Sequence, residues 1–319
     1  MAGAPLPSFS SGIASGMTYA TALLRGRTVN VRGGLLTALI FLPPALALFT
    51  LFVILPIGEA AWYGFYNWNG LAQLDNFVGL ENYRQLLSNK VFGQAFINNL
   101  LIILVSLTVQ LPLALAMAVL LADRLFGSVA FRMLFFLPYI LADIAAGLIW
   151  RFMFDGDYGP ISQIWQTFGG APLHILAERD WAYVAVLTVI VWKYFGFHMM
   201  LYIAGLQGID RNLYEAAAID GASGWQRFRY ITLPGLAPMI KLSVFFSLLG
   251  SLQFFDMIVS LTGGGPLNET HTMVSFLYYF GIGRMRVGFG SAVGVILFIL
   301  CATVAFTYQR LLMRDEQRD

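Results

Sequence analysis

Ser243, Ser247, Ser251 and Phe254 recur at intervals of four, four and three residues inside an apolar run, so a helix places them on one face, with Gln253 beside it. Hydroxyl and amide groups hydrogen-bond and an aromatic ring offers a face for stacking, which is the chemistry of holding a hydroxyl-rich solute without altering it. The same stripe of small residues also suits close helix packing, and both readings stand at this level. In the preceding run Lys193 and Phe197 share a face, with Tyr194 next to them. Asp143 lies at similar depth in its own run, with Tyr139 one turn away on the same side. Charges so placed must face protein or water rather than lipid.

Covalent chemistry finds no support in the residue pattern. There are no paired acids and no Ser-His-Asp arrangement across the runs, so no catalytic residue is assigned. His174, His198 and His271 fall in separate segments without HxxxH or HExxH spacing, so no metal site is expected. Cys301 is the only cysteine, which excludes an intrachain disulfide and reads as a small packing residue. No G-x-x-x-x-G-K-[ST] occurs, and Gly263 to Pro266 lacks the lysine that would reach a phosphate. The chain is therefore not expected to hydrolyse ATP itself.

The elements that must position these groups follow from composition. Hydrophobic residues make up 58% and charged residues 11% of the 319 positions, against roughly 45–50% and 25% in soluble domains. Six runs reach the roughly 20 apolar residues that cross a bilayer: Leu35–Ile57, Ala95–Leu121, Met133–Phe154, Trp181–Leu206, Met239–Leu261 and Phe289–Leu312. Lipid offers no partner to an open sheet edge, so the fold expected is an all-α membrane protein with six transmembrane helices. The expected domain plan is a polar tail over 1–33, a six-helix transmembrane domain over 34–312 with a long loop at about 207–236, and a short tail over 313–319. Residues 155–180 should hold a short helix, and Thr272–Arg286 reads as a surface helix.

Lysines and arginines set the orientation. Arg25, Arg27 and Arg32, then Arg124 and Arg132, then Arg211, Arg227, Arg229 and Lys241, and finally Arg310, Arg314 and Arg318 share one side. The other side holds only Arg84, Lys90, Arg179, Arg284 and Arg286, with Arg151 at its edge. The richer side is expected in the cytoplasm, together with both termini and the 207–236 loop. A net charge of +2 with basic residues scattered along the boundaries leaves no nucleic-acid footprint.

That loop carries the densest pattern in the chain. Asn212 three residues before Glu215 suits a capping box, and Ala216 to Ala218 favour helix with little bulk. Gly221 can take the left-handed conformation that ends a helix, and Leu233-Pro234 stops or kinks the chain before the next run. Glu215-Ala216-Ala217, three residues, Gly221, nine residues and Ile231-Thr232-Leu233-Pro234 resemble the cytoplasmic loop signature of binding-protein-dependent ABC importer permeases at every defining position. Tyr214 to Ser223, Phe255-Asp256, Leu261 to Pro266, Phe77 to Tyr83 and Leu137-Pro138-Tyr139 look like the carbohydrate-uptake class, in particular its MalF-like half.

The resemblance implies a type I ABC importer permease fold in a bacterial inner (plasma) membrane, with residues 210–230 as a coupling helix. Glu215, Ala216, Ala217, Asp220 and Gly221 would contact an ATPase subunit. It also implies a homologous MalG-like permease, two ATP-binding subunits carrying ATP and Mg, and a periplasmic or lipid-anchored sugar-binding protein, with no cofactor on this chain. Within the membrane, Lys193, Tyr194, Phe197, Ser247, Ser251, Gln253 and Phe254 become candidates for the sugar path. Lys193 keeps three readings: an ion pair with Asp143, contact with an anionic or heavily hydroxylated sugar, or snorkelling to another partner. The rival to the whole reading is an ion-coupled sugar carrier working alone, although such carriers usually show more intramembrane acids than Asp143 and Asp256.

Overall fold

The computed structural model describes residues 31–122 and 127–312, with side chains from 39 to 310. The tails expected at 1–33 and 313–319, save residues 31–33, and Arg124 lie outside the described residues. Contacts divide the chain after Gly58. The described part of the first unit is helical, and the apolar stretch α1, Leu39–Tyr63, is long enough to cross a membrane.

The second unit follows with α2 (Glu81–Leu87), α3 (Lys90–Ala122), α4 (Ser128–Ile140) and α5 (Asp143–Met153). Next come α6 (Pro160–Thr167), α7 (Arg179–Gln207), α8 (Arg211–Ile219), α9 (Gly224–Gly235) and α10 (Ala237–Leu252). The last elements are α11 (Asp256–Leu261), α12 (Met273–Ile282) and α13 (Val287–Leu312). Among the described residues the only sheet-type contact is one bridge, Tyr66 to Phe77.

Prolines shape the long helices in a repeated way. Three π-turns, Thr50–Ile54, Ser106–Gln110 and Phe228–Thr232, end two residues before Pro56, Pro112 and Pro234. Proline has no N–H for the carbonyl four residues back, and its ring presses on that carbonyl. The helix widens instead, and the N–H groups of Leu55, Leu111 and Leu233 reach back five residues to the carbonyls of Thr50, Ser106 and Phe228.

Two of the six expected spans are broken. Met133–Phe154, read from sequence as one helix, is α4 and α5 bent by 99° at Leu141-Ala142. The continuous apolar composition hid the break, because hydropathy does not report backbone direction. Helices α9 and α10 bend by 64° at Leu236, between Pro234 and Pro238. The run Met239–Leu261 is likewise two helices, since α10 ends at Leu252 and α11 starts at Asp256. Residues Met273–Ile282 are no surface helix. Met273, Phe276 and Phe280, at i, i+3 and i+7, are buried with Phe92 of α3 and Phe289 and Val293 of α13. Cys301 packs at the margin of this cluster.

Helix α7 runs through the centre of this unit. Val186, Val189 and Ile190 pack with Ile102, Met257 and Ile258, while Met199 and Tyr202 pack with Ala114 and Ala118. It crosses α4 closely at Gly196, where a Cβ would come 2.0 Å from the carbonyl oxygen of Phe135. Backbone cannot swing aside as a side chain can, so Gly196→Ala should lower stability by several kcal/mol, on the order of a severe overpacking effect. Thermal unfolding of the purified permease complex measures this, and an unchanged midpoint would place the α7–α4 crossing elsewhere.

Candidate functional site

The break between α4 and α5, the break after α10 and the π-turn of α3 meet around one cavity of about 440 Å³. Its wall includes Ser106 and Gln110 from α3, Tyr139 and Asp143 from the first break, and Tyr194, Phe197 and His198 from α7. Phe246, Ser247 and Ser251 of α10 complete it with Gln253, Phe254, Phe255 and Asp256. Six of the seven residues proposed from sequence as a path therefore line one space, and Lys193 does not.

The aromatic groups form a connected wall. Tyr139 stacks on Phe197 at 4.8 Å between ring centroids, and Tyr194 meets Phe254 edge-on at 5.3 Å. Phe246 closes on Phe197 at 6.0 Å. The serine stripe divides between the two roles left open by sequence. Ser243 is fully buried and its hydroxyl lies 2.5 Å from His198 Nδ1, which joins α10 to α7. Ser247, 6% exposed, has a buried hydroxyl without a hydrogen-bond partner at the cavity wall. Ser251 lines the wall, and its carbonyl accepts from Asn99 Nδ2 at 2.6 Å.

Lys193 is 1% exposed and its ammonium lies 3.1 Å from Asp143 Oδ1. It also donates to the carbonyls of Pro138 at 3.3 Å, Tyr139 at 3.5 Å and Leu141. These carbonyls end α4, and Asp143 begins α5. One cation thus satisfies the open carbonyl end of the first half-helix and pairs with the acid at the positive end of the second. The Tyr194 hydroxyl donates to both Asp143 oxygens at 2.9 Å, which orients the carboxylate.

Two asparagines that no sequence motif marks hold the other break. Asn98 Nδ2 donates to the carbonyls of Glu269 at 2.6 Å and His271 at 2.8 Å. The Asn99 side chain accepts from Met273 N at 2.9 Å, so with its bond to Ser251 it ties the end of α10 to the start of α12. The available signal was a pair of adjacent buried amides in an apolar helix, a costly placement unless each is bonded. His198, Phe246, Ser106 and Gln110 were also missed, because only the fold brings them to the cavity.

Helix α8 carries the loop signature, with one correction at its start. The cap is Asp210, whose carboxylate accepts from Asn212 N at 2.9 Å, not Asn212. An acid at that position also meets the positive end of the helix, which an amide does less well. At the other end Gly221 has φ +77°, Gly221 N donates to Ala218 O at 3.2 Å and Ala222 N to Ala217 O at 2.9 Å. This is a Schellman ending, which requires the left-handed conformation at Gly221. Ser223 then opens α9 with a capping box to Gln226. Glu215, Ala216, Asp220 and Gly221 are exposed and Ala217 is half-buried. Ile219 and Trp225, 87% and 70% exposed, add apolar surface beside them. Behind the loop a hollow of about 1040 Å³ is shared by Glu215 with Arg132, Arg211 and Arg227.

Comparison with known proteins agrees with this architecture. The sulfoquinovosyl glycerol transport system permease SmoG of Agrobacterium fabrum is 32% identical over 282 residues, covering 88% of this chain and 91% of that one. The trehalose/maltose transport system permease MalF of Thermococcus litoralis is 33% identical over 270 residues, covering 84% and 90%. Among solved structures, a bacterial ABC transporter that imports the acidic polysaccharide alginate superposes with a TM-score of 0.77 at 21% identity, over 89% of this chain and 96% of that one. The fold is that of a type I ABC importer permease. Residues 96–317 match the model of one family, and this chain belongs to it: the binding-protein-dependent transport system inner membrane components, multi-pass permease subunits of ABC importers.

Proposed function

We propose that this chain forms one half of the membrane path of a sugar importer and that its cargo passes the cavity between the broken spans. Transport rather than chemistry is the role that its relatives' names carry, among them the permeases for trehalose/maltose and, in Rhizobium radiobacter, lactose. The observation that carries the reading is the wall itself, where aromatic rings, the unpartnered hydroxyl of Ser247 and Gln253 line one space. Sugar rings stack on aromatic faces and their hydroxyls need partners. Likeness to the alginate importer supports the fold alone.

In this reading a homologous MalG-like permease completes the path, and two ATPase subunits bind ATP with Mg and engage the surface of α8 from the cytoplasm, where both termini lie. A periplasmic or lipid-anchored binding protein delivers the sugar at the opposite end. Closure of the ATPases would move α8 as a rigid unit, which its caps at both ends allow.

Ser247→Ala tests the cavity directly. Removing a buried hydroxyl without a partner should leave stability unchanged or raised by up to about 1 kcal/mol. Uptake of the sugar that the importer's own binding protein carries should fall about three- to tenfold, since one hydrogen bond contributes on the order of 1 kcal/mol. A parallel loss of stability and uptake would assign Ser247 to packing. The rival carrier is tested in vesicles holding this chain alone: sugar uptake on a proton or sodium gradient, without ATP, would overturn the proposal.

A further inference from the structure

Arginines far apart in sequence meet behind the loop. The hollow of about 1040 Å³ is lined by Arg132 of α4, Arg211 of α8 and Arg227 of α9, against one acid, Glu215. Asp123 and Arg124, outside the described residues, carry opposite charges and leave that balance unchanged. Arg132 is committed to the carbonyls of Leu121 and Ala122, which end α3. The Arg211 and Arg227 side chains make no hydrogen bond or ion pair among the described residues, and Arg227 Nε is buried without an acceptor. A buried cationic donor is costly when left open, so this one calls for an acceptor from outside the chain.

The hollow turns apolar where it meets the spans, at Val119 of α3, Leu206 of α7 and Val129 of α4. From Val129 at its rim, Met133 and Leu137 follow four and eight residues on, and each of the three is more than half exposed. Helix α4 therefore carries an open apolar stripe leading away from the arginines. Basic groups at the end of a span, joined to an apolar stripe, match a molecule with an anionic head and a hydrocarbon tail. We infer that the hollow docks the headgroup of an anionic phospholipid, with Arg211 and Arg227 on its phosphate and an acyl chain along Val129, Met133 and Leu137. Guanidinium groups suit this task, since they stay charged and their paired N–H donors match phosphate oxygens. A zwitterionic headgroup would bring its own cation in beside three arginines. An acidic side chain of an ATPase subunit would answer the arginines but leave the stripe bare.

The test is a thermal titration of the assembled importer complex in detergent with dioleoyl phosphatidylglycerol and, in parallel, dioleoyl phosphatidylcholine. Phosphatidylglycerol should raise the unfolding midpoint saturably, and phosphatidylcholine should not. In Arg211→Gln with Arg227→Gln the apparent affinity for phosphatidylglycerol should fall about tenfold or more, the scale of two basic residues at an anionic membrane surface. Arg211→Gln alone should weaken it about threefold or more, and this variant should fold, because Arg211 is exposed, makes no side-chain bond among the described residues and opens α8 at its positive end. Equal effects of the two lipids on wild type, or an affinity for phosphatidylglycerol that neither variant changes, would overturn the inference. Glycerol 3-phosphate is the soluble arm: if it reproduces the shift at the same concentrations, the hollow is a site for free phosphate esters and the lipid assignment fails. Loss of ATPase subunits from the variants on size-exclusion chromatography, with no lipid effect on wild type, would give the arginines to the ATPase contact instead.

Discussion

Lys193→Met is expected to destabilise the permease by about 3 kcal/mol or more, within the roughly 3–5 kcal/mol range for breaking a buried ion pair. The low end applies because Asp143 retains 34% side-chain exposure and water can reach it when its partner is gone. Removing the acid as well, in Lys193→Met with Asp143→Leu, should recover only part of the loss. The carbonyls of Pro138 and Leu141 still lack the donor that Lys193 provided, and each buried orphan costs on the order of 1–3 kcal/mol. A double-mutant cycle on thermal unfolding checks this. Full recovery would reduce Lys193 to a counter-ion, and additive effects would remove the pair as a unit. Lys193→Arg should fail to substitute, because a planar fork cannot place donors on three carbonyls and a carboxylate around one point.

Gly221→Val should abolish most of the coupling while leaving the spans intact. No atom lies within 4 Å of the Cβ that a side chain would add at Gly221, so sterics with neighbours play no part. What remains is the backbone at φ +77°, where an L residue loses about 1–2 kcal/mol and a β-branched one more. That is enough to unwind the last turn of α8 in most molecules, and binding-protein-stimulated ATPase activity should fall about tenfold or more. Gly221→Asn, which tolerates the left-handed region, should keep most of the activity. Assembly of the complex, read by size-exclusion chromatography, should not change in either variant. Equal activity in Gly221→Val and wild type would separate this turn from coupling.

Sequence alone determined the class of the molecule. Apolar runs of bilayer length admit only helices, since lipid satisfies no backbone group, and the spacing from Glu215 to Pro234 marks the loop by itself. Gly221 was legible because one residue type suits a left-handed ending, and the serine stripe because a helix repeats on one face. Pro234 was legible as a stop or kink, while the π-turns ahead of it and ahead of Pro56 and Pro112 came only with the structure, although their cause, a missing N–H, is local.

Tertiary structure decided the rest, and the reasons are long-range. The helix cap at Asp210 rather than Asn212 depends on where the chain leaves α7, not on which residue could cap in isolation. The 99° bend at Leu141-Ala142 is invisible in hydropathy because both halves are equally apolar, and it persists because a lysine more than 50 positions later answers its open carbonyls. Asn98 and Asn99 hold a break more than 150 positions away. Sequence could state that Lys193 needed a partner, since a charge in an apolar run always does. Only the packing of α7 against the broken span settled that the partner is a helix break in the cavity wall.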